Sequence, residues 1–301
     1  MARMFAVLAF ANLALREPAE RTRYLAAIDR IIDRTIADVE RAGMHYFLLP
    51  YGRQQPFVDG PSVFVDGELA LMVAARQLVE RDGRANVWAD RVVRQIERGP
   101  ALLAESYPDE VWMFCNAVAL AAVRIDDVVD GAPERHAALF ARWVANARQL
   151  VDQETGLLPA KTGYRGDVRE GPEGSSLWLV AAMLRIVDDD FARDQYQRAR
   201  AVLRGGLAGF GWAREWPASA PGTDDIDSGP TVPIVGANAG SSGLALVGAY
   251  AFGDEDFARE LGASLEFAGF PIAGRYAAGN QLADAAIAYA RASGPLWERA
   301  R

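Results

Sequence analysis

The pattern that most limits how this chain can fold is an alternation of two kinds of helical segment. The first kind is apolar on nearly every face and rich in alanine: residues 4–15, 69–75, 117–123, 177–184, 244–252 and 283–290. A helix that is apolar all round has to be covered all round. The second kind carries charge along one side: residues 19–41, 86–97, 134–151, 190–203 and 254–267. Within 86–97, Val87, Trp88, Val92, Val93 and Ile96 fall near one face, with Asp90, Arg91, Arg94 and Gln95 largely off it. β-Branched alternating runs bounded by hairpin turns are nearly absent, which argues against a sheet. The economical solution is an all-α protein, an α/α toroid whose apolar helices stand parallel inside while the amphipathic ones return the chain outside. Six inner segments against five outer ones leave the count one short of six pairs. Either the ring is open there or the chain begins later than its relatives.

With 51% hydrophobic and 24% charged residues the composition is globular, and one domain over residues 1–301 is expected. The net charge is −8, with no basic face in the sequence, so nucleic acid is excluded as a partner. A small-molecule substrate is the expected partner, and self-association into a homo-oligomer is left open. The single cysteine, Cys115, precludes an intrachain disulfide and fits a reducing, cytoplasmic setting. Two histidines and one cysteine cannot supply a zinc site of the usual kind, so no metal is expected. Residues 4–15 are too short to span a bilayer, and no small-x-small cleavage site precedes Arg16-Glu17-Pro18. That stretch reads as a buried helix, and no membrane span is expected.

Three connections, residues 44–65, 152–174 and 205–239, are longer than structureless loops usually are in a compact domain. They hold Tyr46, Phe47, Tyr51, Phe57, Phe64, Tyr164, Phe210, Trp212 and Trp216, an aromatic content that suits loops folded over something. The inner helices also start alike, with Asp66-Gly67-Glu68, Pro108-Asp109-Glu110, Glu173-Gly174-Ser175-Ser176, Asn238-Ala239-Gly240-Ser241-Ser242, and Asn280 with Asp284. In a toroid all inner helices start at one end, so these groups should converge on one mouth beside the long loops, the default place for a site. Each group alone is also an ordinary helix cap.

Further motifs need weighing. Asp126-Asp127-Val128-Val129-Asp130 has the D-D-x-x-D form of a magnesium–diphosphate motif, but no second metal motif accompanies it and it falls at the far end of an inner helix. A solvated loop before Gly131 is the expected reading. Asp225 and Asp227 lie in the longest connection, as turn residues or as part of a lid over the mouth. Cys115, six residues beyond Asp109, is too deep for the helix dipole to acidify and reads as an ordinary core thiol. Asn116 beside it needs hydrogen-bond partners in a helix-lined interior.

The run Glu105-Ser106-Tyr107-Pro108-Asp109-Glu110-Val111-Trp112-Met113-Phe114-Cys115-Asn116-Ala117-Val118-Ala119 resembles the central segment of the linalool dehydratase/isomerase family, with its Pro-Asp and its Cys-Asn opening an apolar helix. The resemblance implies an α/α toroid and an enzyme that isomerises or dehydrates acyclic monoterpene alcohols without a cofactor. It also exposes departures. Cys115 matches the second of two family cysteines, but Ser106 stands where the first should be. Glu68 stands where the family has a histidine after a glycine.

The reading from these residues is a cofactor-independent acid–base enzyme, a lyase or isomerase. Glu68 and Asp109 form its carboxyl pair, one of them made an acid by burial, with Cys115 and Asn116 holding the substrate. Glu173, Trp178, Trp212, Asp225, Asp227 and Asn238 complete the expected wall of the cavity. The alternatives are a carbohydrate-active toroid with Trp178, Trp212 and Trp216 as platforms, or a non-catalytic binding protein.

Overall fold

A computed structural model of the chain describes residues 1–219, 228–229, 231–272 and 275–301. It is predominantly helical. The six apolar segments form α1 (Ala2–Arg16), α3 (Val63–Val79), α5 (Met113–Val129), α7 (Gly174–Leu184), α9 (Ala239–Phe252) and α11 (Gln281–Ala292). The amphipathic segments form α2 (Arg21–Ala42), α4 (Val87–Arg98), α6 (Ala137–Ala147), α8 (Asp189–Leu203) and α10 (Glu255–Ala268). A short α12 (Pro295–Arg299) follows α11.

The packing partners follow from the apolar faces. Each odd-numbered helix from α1 to α9 packs on the next, α11 packs back on α1, and the buried apolar cluster runs from Met4 to Ala300. Among the even-numbered helices, α2 packs on α1 and α3, α4 on α3 and α5, α8 on α7, and α10 on α9. Helices α3 and α5 approach each other closely. A β-carbon built on Gly67 would lie 3.1 Å from that of Ala119, so small residues on both helices are what let the backbones meet.

Polar side chains fix the ends. Asp188, Asn238, Asp254 and Asn280 accept hydrogen bonds from the N–H groups of Phe191, Ser241, Phe257 and Ala283 and start α8, α9, α10 and α11. Deeper in, the fully buried Asp66 of α3 accepts from Arg91 Nη1 (3.0 Å) and Gln95 Nε2 (2.7 Å) of α4, locking an inner helix to its cover. Burial drives the Asp66 carboxyl up to about 6, against the pull of Arg91 and Gln95.

The expectation of no sheet is corrected in detail. The long connections carry short antiparallel ladders: β1 (Val111–Trp112) with β2 (Lys161–Thr162) and β3 (Val168–Glu170), β4 (Arg204–Leu207) with β5 (Phe210–Ala213), and β6 (Thr231–Val232) with β7 (Ala237–Asn238). Such runs are too short to show a period of two in the sequence. The final turn α12 was also not anticipated. It packs on α1 and α3, where the Asn12 side chain accepts from the Leu296 N–H at 3.0 Å. Among the described residues no helix is long and apolar enough to cross a membrane.

Two outcomes check this account. Ala119→Leu should cost about 1–3 kcal/mol by overpacking the α3–α5 contact, read as a lower denaturant midpoint. Asp66 holds its proton more tightly folded than unfolded, so its contribution is largest below about pH 4 and is lost as pH rises through about 6. The stability of the wild type relative to Asp66→Asn should therefore fall by up to about 3 kcal/mol between about pH 4 and 7, each pKa unit being about 1.4 kcal/mol. A difference that stays flat with pH would contradict it.

Candidate functional site

Polar contacts join the starts of five inner helices at one end. The Met1 α-amino group lies 2.6 Å from the Glu68 carboxylate, joining α1 to α3. Val63 N–H donates to the Glu105 carbonyl (2.7 Å) and Ser62 Oγ to the Ser106 carbonyl (2.6 Å), joining α3 to the approach of α5. Met113 N–H donates to the Ala160 carbonyl at 3.0 Å, on the strand pair that leads toward α7. Gly174 N–H donates to the Glu215 carbonyl (2.7 Å) and Ser241 Oγ to the Arg214 carbonyl (2.8 Å), so α7 and α9 share one segment. At the opposite end the C-terminal segment does the tying, with Arg16 Nη2 on the Ser293 carbonyl (2.6 Å) and Arg299 Nη1 on that of Leu78 (3.0 Å).

The aspartates at 126–130 sit at that opposite end, but the expected solvated loop is corrected. Helix α5 continues to Val129, and Asp127 is fully buried with His136 Nδ1 at 2.8 Å and the His136 N–H at 3.3 Å. A buried carboxylate has to be hydrogen-bonded, and His136 supplies the partners. No three His, Cys, Asp or Glu among the described residues are grouped to hold a metal ion.

At the first end, Cys115 lies in the opening turn of α5, almost fully buried beside the Ser106 hydroxyl. Burial pushes its thiol far above the ordinary range. Ser106 opposes that shift and the nearby charge of Glu68 adds to it, so the sulfur stays protonated. Ser106 Oγ in turn accepts from Trp112 N–H at 3.1 Å. A string of rings runs through the neighbouring residues of this segment and α3. Tyr51 stacks on Tyr107 (5.4 Å), Tyr107 on Phe64 (6.1 Å), and Phe114 meets both Phe64 (6.5 Å) and Trp112 (6.0 Å). Phe64 and Glu68 are four apart on α3 and so share a face, and both stay partly exposed.

The outer rim of the rings is polar. Glu110 accepts from Tyr51 Oη (2.9 Å) and Trp112 Nε1 (3.2 Å) and faces Lys161 Nζ at 3.6 Å. Lys161 is the only lysine in the chain. It pairs with Glu170 and lies 5.0 Å over the Trp112 ring. Burial works against its charge, but Glu170 and Glu110 outweigh it and hold its pKa above normal.

The sequence candidates divide. Glu68 and Cys115 come together, with the Ser106 hydroxyl beside the thiol. Asp109 does not join them. It sits half-exposed in left-handed backbone (φ 56°), with its carboxylate 2.6 Å from Arg169 Nη2. That hydrogen bond holds the acid below the ordinary carboxylate range, so burial does not make it an acid. The cause is the tight turn at Tyr107–Glu110, which carries its side chain outward.

Asn116 is buried and spends both side-chain N–H groups on the Ala104 and Trp112 carbonyls (3.0 and 3.2 Å) while accepting from Ala104 N–H (2.9 Å). It fastens the loop before α5 rather than facing an opening. Trp178 is fully buried among Tyr196 and Phe257, its Nε1 on Ser241 Oγ at 3.2 Å, and so is core. Trp212 is half-buried with its Nε1 on the Val235 carbonyl (3.0 Å). The Glu173 carbonyl accepts from Ser176 and Leu177 at the start of α7, and the buried Asn238 bridges Ser241 N–H and the Gly229 carbonyl. Asp225 and Asp227 lie outside the described residues.

Two buried carboxyls escaped the sequence reading. Glu105 accepts the N–H groups of Val58 (2.9 Å), Asp59 (2.8 Å) and Asp109 (2.8 Å), clamping the first long connection. Glu215, 2% exposed, accepts from Ser175 N–H (3.3 Å) and the Ser175 hydroxyl at the start of α7. Burial raises its pKa, with Ser175 and Ser228 pulling the other way. It lines a cleft of about 300 Å³ between residues 214–218 and 231–236. Neither residue falls in a periodic segment, and only a position beside an aromatic loop residue could have drawn notice.

No curated protein matches the chain. Residues 84–271, more than half its length and including Glu105, Ser106, Cys115, Lys161 and Glu215, match the family model described as linalool dehydratase/isomerase, and the chain belongs to that family.

Proposed function

We propose that the protein is a cofactor-independent acid–base enzyme of lyase or isomerase type, acting on a small apolar alcohol of the terpenoid kind. Its residues 1–301 would form one α/α toroid, a reading supported by the cyclic packing of α1, α3, α5, α7, α9 and α11. The observation that carries the functional reading is the neutral Cys115 thiol, held beside the Ser106 hydroxyl, within charge reach of Glu68, behind a wall of Phe64, Trp112 and Phe114. An apolar wall with few polar groups suits a hydrocarbon chain bearing one hydroxyl.

In this reading Glu68 removes a proton from carbon next to the hydroxyl-bearing position, and Cys115 and Ser106 orient the hydroxyl as weak donors. Asp109, tied to Arg169, holds the rim rather than doing chemistry. The carbohydrate alternative loses its main platform, because Trp178 is sealed in the core.

Incubation with linalool and gas-chromatographic detection of hydrocarbon or rearranged alcohol tests the activity. Glu68→Gln should lower kcat/KM by about 10²- to 10⁴-fold, the usual weight of a general base. Cys115→Ser should keep the fold and stay within about tenfold of the wild type, since a hydroxyl still donates. Loss of turnover in Cys115→Ser with Glu68→Gln spared would make the thiol the reacting group and overturn these roles.

A further inference from the structure

The hairpin that follows α8 leaves one backbone edge open. Arg214 N–H donates to the Leu203 carbonyl at 2.8 Å, just outside the ladder of β4 and β5. Bonded and non-bonded pairs alternate along an antiparallel ladder, so Gly205 with Trp212 and Leu207 with Phe210 are the bonded pairs. The turn between the strands, Ala208–Gly209, is left-handed at both residues (φ 52° and 86°), as a tight two-residue hairpin requires. The N–H and C=O of Gly206 therefore point away from β5, and among the described residues no strand pairs with that edge. Gly205 has to be glycine because a β-carbon there would strike the Trp212 ring. Gly206 is exposed, with no side chain to hold a second backbone at a distance.

The same hairpin carries an apolar surface. Leu207 and Phe210 stand opposite each other, so they share a face; both are exposed, Leu207 by 72%. The Phe210 ring meets that of Phe267, in the last turn of α10, at 5.5 Å, and Phe267 is 75% exposed. Phe270 and Ile272 continue the exposed series beyond α10. The charges beside the edge are balanced. A groove of about 490 Å³ is lined by β4 together with Arg200 and Glu260. Arg200 pairs with Asp254, and Arg204 with Glu260 at 2.7 Å.

We propose that the protein associates with a second copy of itself through the β4 edge and the Leu207, Phe210 and Phe267 surface. An open edge is a template for another strand, and a clustered apolar surface marks a contact. Other occupants fit one feature but not both. A bilayer would take the apolar side chains, yet it would strip water from the Gly206 backbone groups and give them no partner. A small anion would find both guanidinium groups already on carboxylates. A second copy satisfies the edge and the apolar surface together. About a two-fold axis at Gly206, each Gly206 N–H donates to the other copy's Gly206 carbonyl, and the two hairpins become one four-stranded antiparallel sheet. Because acids and bases alternate beside the edge, a chain of net charge −8 can meet itself there without like-charge repulsion.

This association does not rest on the acid–base reading, and no substrate is needed to test it. Sedimentation equilibrium of the full chain should show a reversible shift from the mass of one chain to that of two, with a Kd of about 100 μM or tighter. Leu207→Lys and Phe267→Lys, both at exposed positions, should each raise Kd by at least about tenfold with the circular dichroism unchanged. A second readout needs no variant. In the wild type, hydrogen exchange at the Gly206 amide, followed by NMR, should slow as concentration rises through Kd. Exchange at the Leu207 amide, bonded within the hairpin, should change little. A chain that stays monomeric at about ten times that concentration would overturn the proposal. So would a dimer that both folded variants leave intact, or a Gly206 amide indifferent to concentration. Monomers that bind phosphatidylcholine vesicles, and lose that binding in Leu207→Lys and Phe267→Lys, would make the surface a bilayer contact and overturn it as well.

Discussion

The structure depends on one packing requirement: helices without a polar face must touch helices on every side. Alanine and glycine make that affordable in space, because backbones must come close for six such helices to share one interior. The Gly67–Ala119 contact is one place where the requirement is tight, with neither residue carrying more than a methyl group between α3 and α5. Glu68 and Cys115 ride on these two helices, and Ser106 reaches the thiol from the segment that leads into α5.

The polar groups divide by what faces them. Asp66, Asn116 and Asp127 are buried with their hydrogen bonds met by Arg91 and Gln95, by the backbone around Ala104, and by His136. These are fasteners between elements. Glu68, Ser106, Cys115 and Glu215 lie at the end where inner helices begin, beside partly exposed rings or an open cleft.

Much of the helical order was legible because apolar faces repeat. The segment at 69–75 was read too short, since Val63, Phe64 and Val65 precede a charged pair that looks like a helix start, yet α3 begins at Val63. The carboxyl pair expected of Glu68 and Asp109 does not form, and the neighbour Glu68 has is Cys115. Asp109 was misplaced because nothing in a Pro-Asp-Glu run says that the backbone turns left-handed and swings the side chain to Arg169, sixty residues on. Asn116 and Trp178 were given to the cavity because residue type shows that a partner is needed, not which one. Glu105 and Glu215 were invisible for the reverse reason: their partners are backbone N–H groups and hydroxyls in irregular segments, which leave no period in the sequence.

The cyclic packing also sets a timetable for synthesis. Arg16, at the end of α1, meets the Ser293 carbonyl 277 positions later in the chain, and α1 is covered on one side by α11. At about 5–20 residues per second, a ribosome needs roughly 15 to 50 seconds to deliver that partner. During that interval the most apolar face of the first helix has only α2 and α3 to shelter it. The nascent chain therefore carries an apolar, adhesive surface on α1 until α11 has been made.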